Sequence, residues 1–299
     1  MVILIMALFG LIGNCYFVSA QVSGNMILWG SGGYSTFSND VSDISSSSGV
    51  GLGIGAGYEV IYKKFMVHLG AEYNHLKVSL EMEPFTVRED MYDSEGDYYI
   101  GNFSFIESVD ENIVGNINFP LLAGFRFGQF YFFAGGKFGL NLSTNSSVET
   151  TVRSTGTYPN FIDDFENMPN HAFGQVKEIS KSSYSIEQNF SMSCEMGMYL
   201  GDRQPKNQKK ILYRLSAFCD YGLTNIHDNT VSEPILINSS EGGGFQPGLN
   251  SFMRSTTMKN STVNMIYAGV KLTAVFGIKV RSKYDCYFNG NPNLRKRRR

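Results

Sequence analysis

Residues 114–143 read VGNINFPLLAGFRFGQFYFFAGGKFGLNLS. From Ile117 to Phe127 every second residue is apolar: Ile117, Phe119, Leu121, Ala123, Phe125 and Phe127. Asn118, Pro120, Leu122, Gly124 and Arg126 lie between them. After a turn at Gly128-Gln129 the alternation resumes, with Phe130, Phe132, Ala134, Phe138, Leu140 and Leu142 on one face. Tyr131, Phe133, Gly135, Lys137, Gly139 and Asn141 fall on the other. A strict period of two means two antiparallel strands with one apolar face. Each is about ten residues long, roughly what a tilted strand needs to cross a bilayer. The hairpin predicts a transmembrane β-barrel.

The same pattern recurs along the chain. Strands are predicted at 24–37, 50–62, 65–80, 191–201, 210–224 and 263–278, which makes eight with the hairpin. The connections between them alternate between long and short. Short turns at one end and longer loops at the other are the mark of outer-membrane barrels. A soluble β-sandwich shares the in/out alternation, but nothing requires it to gather its long loops at one end. The expected fold is all-β, an eight-stranded antiparallel up-and-down transmembrane β-barrel with three long extracellular loops and one shorter one.

Bulk composition agrees. The 299 residues carry a net charge of −2, 14% aromatic and 17% charged residues, and 32 glycines. No basic excess points to nucleic acid. No apolar run of about twenty residues occurs past the N-terminus, so an internal helical span is not expected.

Residues 1–20, MVILIMALFGLIGNCYFVSA, have the apolar core and the small-residue site Val18-Ser19-Ala20 of a cleaved export signal, though without the usual early Lys or Arg. A lipid anchor at Cys15 is the alternative, with Asn14 a poor neighbour for it. The barrel domain is expected over 21–278, and 279–299 form a basic periplasmic tail with eight bases and one acid. That tail is either a solvated end or a contact for acidic headgroups, a cell-wall polymer or a periplasmic protein.

With the apolar rows toward lipid, the inward rows carry Glu59, Glu72, Arg126, Lys137, Glu195, Arg214, Asp220 and Lys271. Lys or Arg facing lipid at mid-bilayer costs about 2–4 kcal/mol, so ions are expected inside. An eight-strand barrel is only wide enough for side chains to fill it. Buried charges must be paired. Four acids and four bases therefore predict a salt-bridged plug, with a proton or ion path as the alternative. Cys194 and Cys219 fall on apolar rows of consecutive strands, about three positions out of line around a turn centred near Pro205, and read as lipid-facing residues or a disulfide pair.

Loop 81–112 holds ten acids and one base, Arg88. Its Asp93-Ser-Glu95-Gly96-Asp97 run resembles part of a calcium loop but lacks the distal bidentate Glu, leaving a solvated acidic loop as the plainer reading. His68, His75, His171 and His227 form no ligand pattern. Neither catalytic constellation, cofactor motif nor metal site is expected, and the chain does not read as an enzyme. Expected partners are outer-membrane lipid and lipopolysaccharide, and the barrel-insertion machinery.

INFPLLAGFRFGQFYFFAGGKFGLNLS, with YRLSAFCDYGLTNI and VNMIYAGVKLTAVFGI, resembles the PorT-like outer-membrane β-barrel domain of Bacteroidetes-type Gram-negative bacteria, through Phe119-Pro120-Leu121-Leu122 above all. The resemblance implies a closed eight-strand barrel over 21–278 and assigns no functional residue. It departs where some twenty residues follow Phe276. Two roles remain open: a structural or adhesive envelope protein, or a component of a secretion or envelope assembly. A narrow channel or a barrel enzyme is the more remote alternative.

Overall fold

The computed structural model describes residues 22–93, 95–159, 164–166, 173–184, 189–200, 211–226, 233–238, 247–258 and 261–278. The export signal, Cys15, Cys286, His171, His227, Asn260, the polar turn within 201–210 and the basic tail lie outside the described residues. Fourteen strands are described: β1 (Val22–Asn39), β2 (Ile44–Ser47), β3 (Gly49–Tyr62), β4 (Phe65–Met82), β5 (Phe85–Tyr92), β6 (Tyr98–Phe127), β7 (Phe130–Thr157), β8 (Asp164–Glu166), β9 (Gly174–Ser183), β10 (Asn189–Leu200), β11 (Leu212–Gly222), β12 (Leu236–Asn238), β13 (Pro247–Leu249) and β14 (Val263–Ile278).

Eight of them pair in a ring, each antiparallel to the next. The order is β1, β3, β4, β6, β7, β10, β11 and β14, and β14 returns to β1. These are the eight strands the periodicity predicts. The tight turns at Lys63-Lys64 and Gly128-Gln129 have positive φ at their first residue, 57° at Lys63 and 65° at Gly128, as type II′ hairpin turns do.

The apolar rows face outward. Leu121, Leu215 and Leu272 are 52%, 43% and 52% exposed, so they belong to a belt and not to one interior. Met26, Leu28, Leu52, Ile54, Met196 and Val270 continue that belt around the ring. Aromatic rings border it on both sides. Tyr62, Phe65, Phe125, Phe127 and Phe130 lie toward the turns, and Tyr34, Tyr73, Phe190 and Tyr221 toward the loops. An apolar band between aromatic girdles is what a bilayer selects. The parity of β1, unfixed by sequence, is settled by Trp29, which points inward into space left by glycine. A Cβ on Gly55 would lie 2.4 Å from the indole, and one on Gly70 would lie 2.7 Å from it.

The predicted loops 81–112 and 143–190 prove to be largely strand. β6 and β7 run for 30 and 28 residues and leave the belt together. Met82 pairs with Ser108 and Phe85 with Phe105, one unbroken register, so β4 and β5 are a single line interrupted at Pro84, which has no N–H to donate. On the other side β9 pairs with Asn145–Ser154 of β7 and β8 with Thr155–Thr157. The result is an extracellular blade, four strands wide, continuous with the barrel wall. Two register shifts, between Phe105 and Glu107 and between Gly115 and Asn116, move the inward row from one residue parity to the other.

The fourth outer loop folds back over the mouth. A β12–β13 hairpin and two 3-10 turns, Phe252–Arg254 and Thr256–Met258, form a cap. Leu249, Phe252, Met253 and Met258 of the cap pack with Leu76, Val78, Leu80, Phe103, Phe105, Val148 and Val152 of the blade and with Phe218 and Tyr267 of the barrel.

Cys194 and Cys219 are direct cross-strand partners. The register of β10 and β11 therefore does not show the expected three-residue offset. Both thiols are free and exposed in the belt.

Candidate functional site

The lumen is built from alternate residues of the ring strands. Its ions stack along the bore. Nearest the turns, the Arg214 guanidinium donates to Glu59 at 2.6 Å. It lies against the rings of Tyr131 (4.9 Å) and Tyr199 (5.6 Å). Next, Glu195 accepts from Lys271 Nζ at 2.7 Å, from the Tyr131 hydroxyl at 2.8 Å and from Ser216 Oγ at 3.0 Å. Toward the loops, Lys137 Nζ donates to both Glu72 (2.6 Å) and Asp220 (2.7 Å). Glu72 also accepts from Trp29 Nε1–H at 3.1 Å and from the Asn74 amide at 3.3 Å. All seven ions are buried.

Arg126 departs from expectation. It keeps the inward parity but is the last inward position before the turn, so its long side chain reaches the turn-side end of the bore. There the guanidinium covers the Tyr199 ring at 4.1 Å and its Nε–H donates to Gly128 O at 3.2 Å. The other seven come together as four acids and three bases; the balance expected from the sequence does not hold among the described residues. His68, whose inward position the sequence indicates, stands edge-on to Trp29 at 5.0 Å and to Phe133 at 5.8 Å. His75 faces outward, as its opposite parity requires.

Above the lumen, Asp110 is fully buried and ties the cap to the blade. Its Oδ1 accepts from Ser146 Oγ at 2.5 Å, and Oδ2 accepts from Ser251 Oγ at 3.0 Å and from the Phe252 N–H at 2.7 Å. Glu233 and Arg254 pair across the cap, and Arg254 also donates to Ser183 O of β9 at 3.0 Å. Asp110 lies outside the belt. Burial holds its carboxyl above the ordinary aspartate range, partly offset by the donors from Ser146, Phe252 and Ser251. A raised folded-state value means that the folded protein holds this proton more tightly than the unfolded chain. The associated stability is present at low pH and lost as pH rises through the folded value. Asp110→Asn mimics the protonated form. Its stability relative to wild type should therefore increase with rising pH in urea titrations of the detergent-solubilised barrel; a constant difference would refute the assignment.

The blade ends in aromatics and acids. Tyr99 stacks on Tyr158 at 5.2 Å and meets Phe173 edge-on at 5.6 Å, while Tyr92 meets Tyr98 at 5.8 Å. The calcium-like run is the β5–β6 turn. Asp93 Oδ1 accepts the backbone N–H groups of Glu95 and Asp97, both at 2.9 Å, and Oδ2 accepts from the Tyr158 hydroxyl at 3.2 Å. That carboxylate therefore caps its own turn, in the manner of an Asx turn. On the outer face near the belt, an open groove of about 400 Å³ is lined by Glu111, Ile113, Asn145, Ser147, Lys181 and Ser183. The Asp110 anchor is not legible from sequence, because its partners Ser251 and Phe252 lie about 140 residues away.

No protein-family profile matches the chain, and no curated protein matches it. Among solved structures, the chain is similar to Ail, the attachment invasion locus protein of Yersinia pestis, crystallised with the heparin analogue sucrose octasulfate. The match has 8% identity and a TM-score of 0.22, and covers 84% of this chain and 98% of that one. The ring of eight paired strands, the apolar belt and the ion-lined interior themselves identify a β-barrel of the outer-membrane kind.

Proposed function

We propose that this protein is an outer-membrane barrel, exported by a cleaved signal, that presents the blade as an adhesive or structural surface while its lumen stays shut. The observation that carries this reading is the length of β6 and β7. Residues 98–116 of β6 lie beyond the belt strand, which at about 3.3 Å per residue is roughly 60 Å of strand outside the membrane. A barrel with only a structural lumen has no need of such a projection. Binding residues concentrate where a rigid scaffold displays them to solvent, and the tip offers the exposed Tyr92 and the half-buried Tyr98 among carboxylates.

The lumen supports a non-catalytic, non-conducting role, because each of its cations is committed to a carboxylate. The groove beside Lys181 is the natural seat for headgroup sugars or phosphates of lipopolysaccharide. PorT-like kinship rests on the Phe119-Pro120-Leu121-Leu122 motif alone, and the export signal on residues 1–20 alone.

Replacing residues 90–100 by a Gly-Ser turn tests the reading. Cells displaying the shortened protein should keep its heat-modifiable gel mobility, since the ring is untouched, and lose most attachment to polysaccharide- and protein-coated surfaces. Equal attachment by the two forms, or none above empty-vector cells for the full chain, rejects it.

A further inference from the structure

The line formed by β4 and β5 is paired on both sides below Pro84 and on one side above it. At the top of β4, β2 pairs with Ser79–Met82, and the Glu83 N–H donates to Asp43 O at 3.0 Å. Beyond that point β5 pairs with β6 alone, and among the described residues no backbone hydrogen bond reaches its other edge. The blade therefore has a step. The column that β2 fills low down is open beside Phe85–Tyr92, eight residues or roughly 25 Å of strand at about 3.3 Å per residue. An unpaired edge of this length is a template for a further strand, and proteins ordinarily blunt such edges with charge.

The charges on this edge are nearly all of one sign. Asp43 and Glu83 stand at the foot of the open column, Glu89 and Asp90 along it, and Glu95 and Asp97 in the turn at its top, all exposed, against Arg88. A second copy offering its own β5 would bring the same carboxylates to the same place, and a polyanionic glycan would add more. The opposite edge of the blade has no such field: β9 carries Lys177 and Lys181, Lys177 is paired with Glu149, and Ser183 O is tied to Arg254. On the cap side of β5, Phe85, Val87 and Met91 are only partly buried against the blade core. Alternate apolar residues of an added strand would cover them, and the residues between would lie on the face of Arg88 and Asp90.

We propose that the open column beside β5 takes an extended segment of another protein, basic on one face and apolar on the other, which adds a strand to the blade. The proposal rests on the adhesive reading of the blade and names the class of partner. Backbone hydrogen bonds to the free edge supply the ladder whatever the partner's sequence, and its alternate side chains supply the choice. Lysine or arginine beside Asp90 and the carboxylates at either end steers the encounter, so binding weakens as salt screens these exposed charges.

The test uses the full barrel in detergent and short synthetic peptides: alternating lysine and valine, alternating glutamate and valine, and the lysine–valine peptide N-methylated throughout. The first should bind in calorimetric titration and the second should not. The third keeps charge and side chains but donates no N–H, so it should bind at least about ten-fold more weakly. The double variant Glu89→Gln, Asp90→Asn should keep its heat-modifiable mobility and bind the lysine–valine peptide about five-fold more weakly, as expected for exposed ion pairs. Equal binding by the N-methylated peptide overturns the inference, because charge alone would then hold the ligand. Equal binding by the glutamate peptide, or none by the lysine–valine peptide, overturns it too, and neither result requires a variant to fold. A barrel that self-associates in sedimentation and is dissociated by the lysine–valine peptide assigns the edge to a second copy and likewise overturns it. Cells that attach through the blade while the purified barrel ignores the peptide leave the adhesive reading standing and remove this inference alone.

Discussion

Lys137→Met should destabilise the barrel by about 3–5 kcal/mol, because removing one member of a buried ion cluster leaves its partners charged and unpaired. Here it leaves two, Glu72 and Asp220, both now bonded to the same ammonium at 2.6 and 2.7 Å. Trp29 and Asn74 still donate to Glu72, whereas Asp220 keeps no side-chain donor among the described residues, so the strain falls mainly on β11. The loss should be largely reversed in the triple variant Lys137→Met, Glu72→Gln, Asp220→Asn, since a matched neutral replacement of a buried ion group is often close to neutral. Urea unfolding of the refolded barrel measures both. A single variant within about 1 kcal/mol of wild type would place these ions in contact with water, since exposed pairs contribute only about that much.

Leu121→Arg should be nearly as damaging, for the opposite reason. Its side chain is 52% exposed, which in water would make the substitution trivial. In the belt it meets hydrocarbon, and an arginine at mid-bilayer is unfavourable by about 2–4 kcal/mol. Ile179→Arg supplies the control. Ile179 is a 58% exposed apolar residue of β9 in the blade, and there the change should stay within about 0.5 kcal/mol. Folding free energies in lipid vesicles separate the two sites. Equal effects at both would mean that the apolar row around Leu121 does not face lipid.

The barrel was legible in the sequence because a lipid-facing row repeats every two residues without a break across the bilayer, as in Ile117–Phe127. The same parity places Glu59, Glu72, Lys137, Glu195, Arg214, Asp220 and Lys271 inside. Which acid meets which base was not legible, since Lys137 and Asp220 are 83 residues apart and meet only through the stagger of the closed ring. Arg126 shows the limit of parity: it names a side of the strand but not a height along it, and a long side chain one residue from a turn leaves the bore. The blade was hidden for a different reason. Bulges at Phe105/Glu107 and Gly115/Asn116 shift the inward row, and Pro84 divides a continuous line, so a count of alternation loses phase at the points where the strands leave the membrane. The cap has no period to find. Its turns are held by Asp110, a residue that reads in isolation as one more solvated acid.

The unbroken course of β6 and β7 from belt to tip determines how the molecule carries a load. A tether fastened near Tyr92 or Tyr99 pulls these neighbours lengthwise, so the ladder between them resists in shear, many hydrogen bonds at once, and does not open one rung at a time. Tension applied at the cell surface passes straight into the membrane-embedded wall, with no hinge between the point of attachment and the anchor.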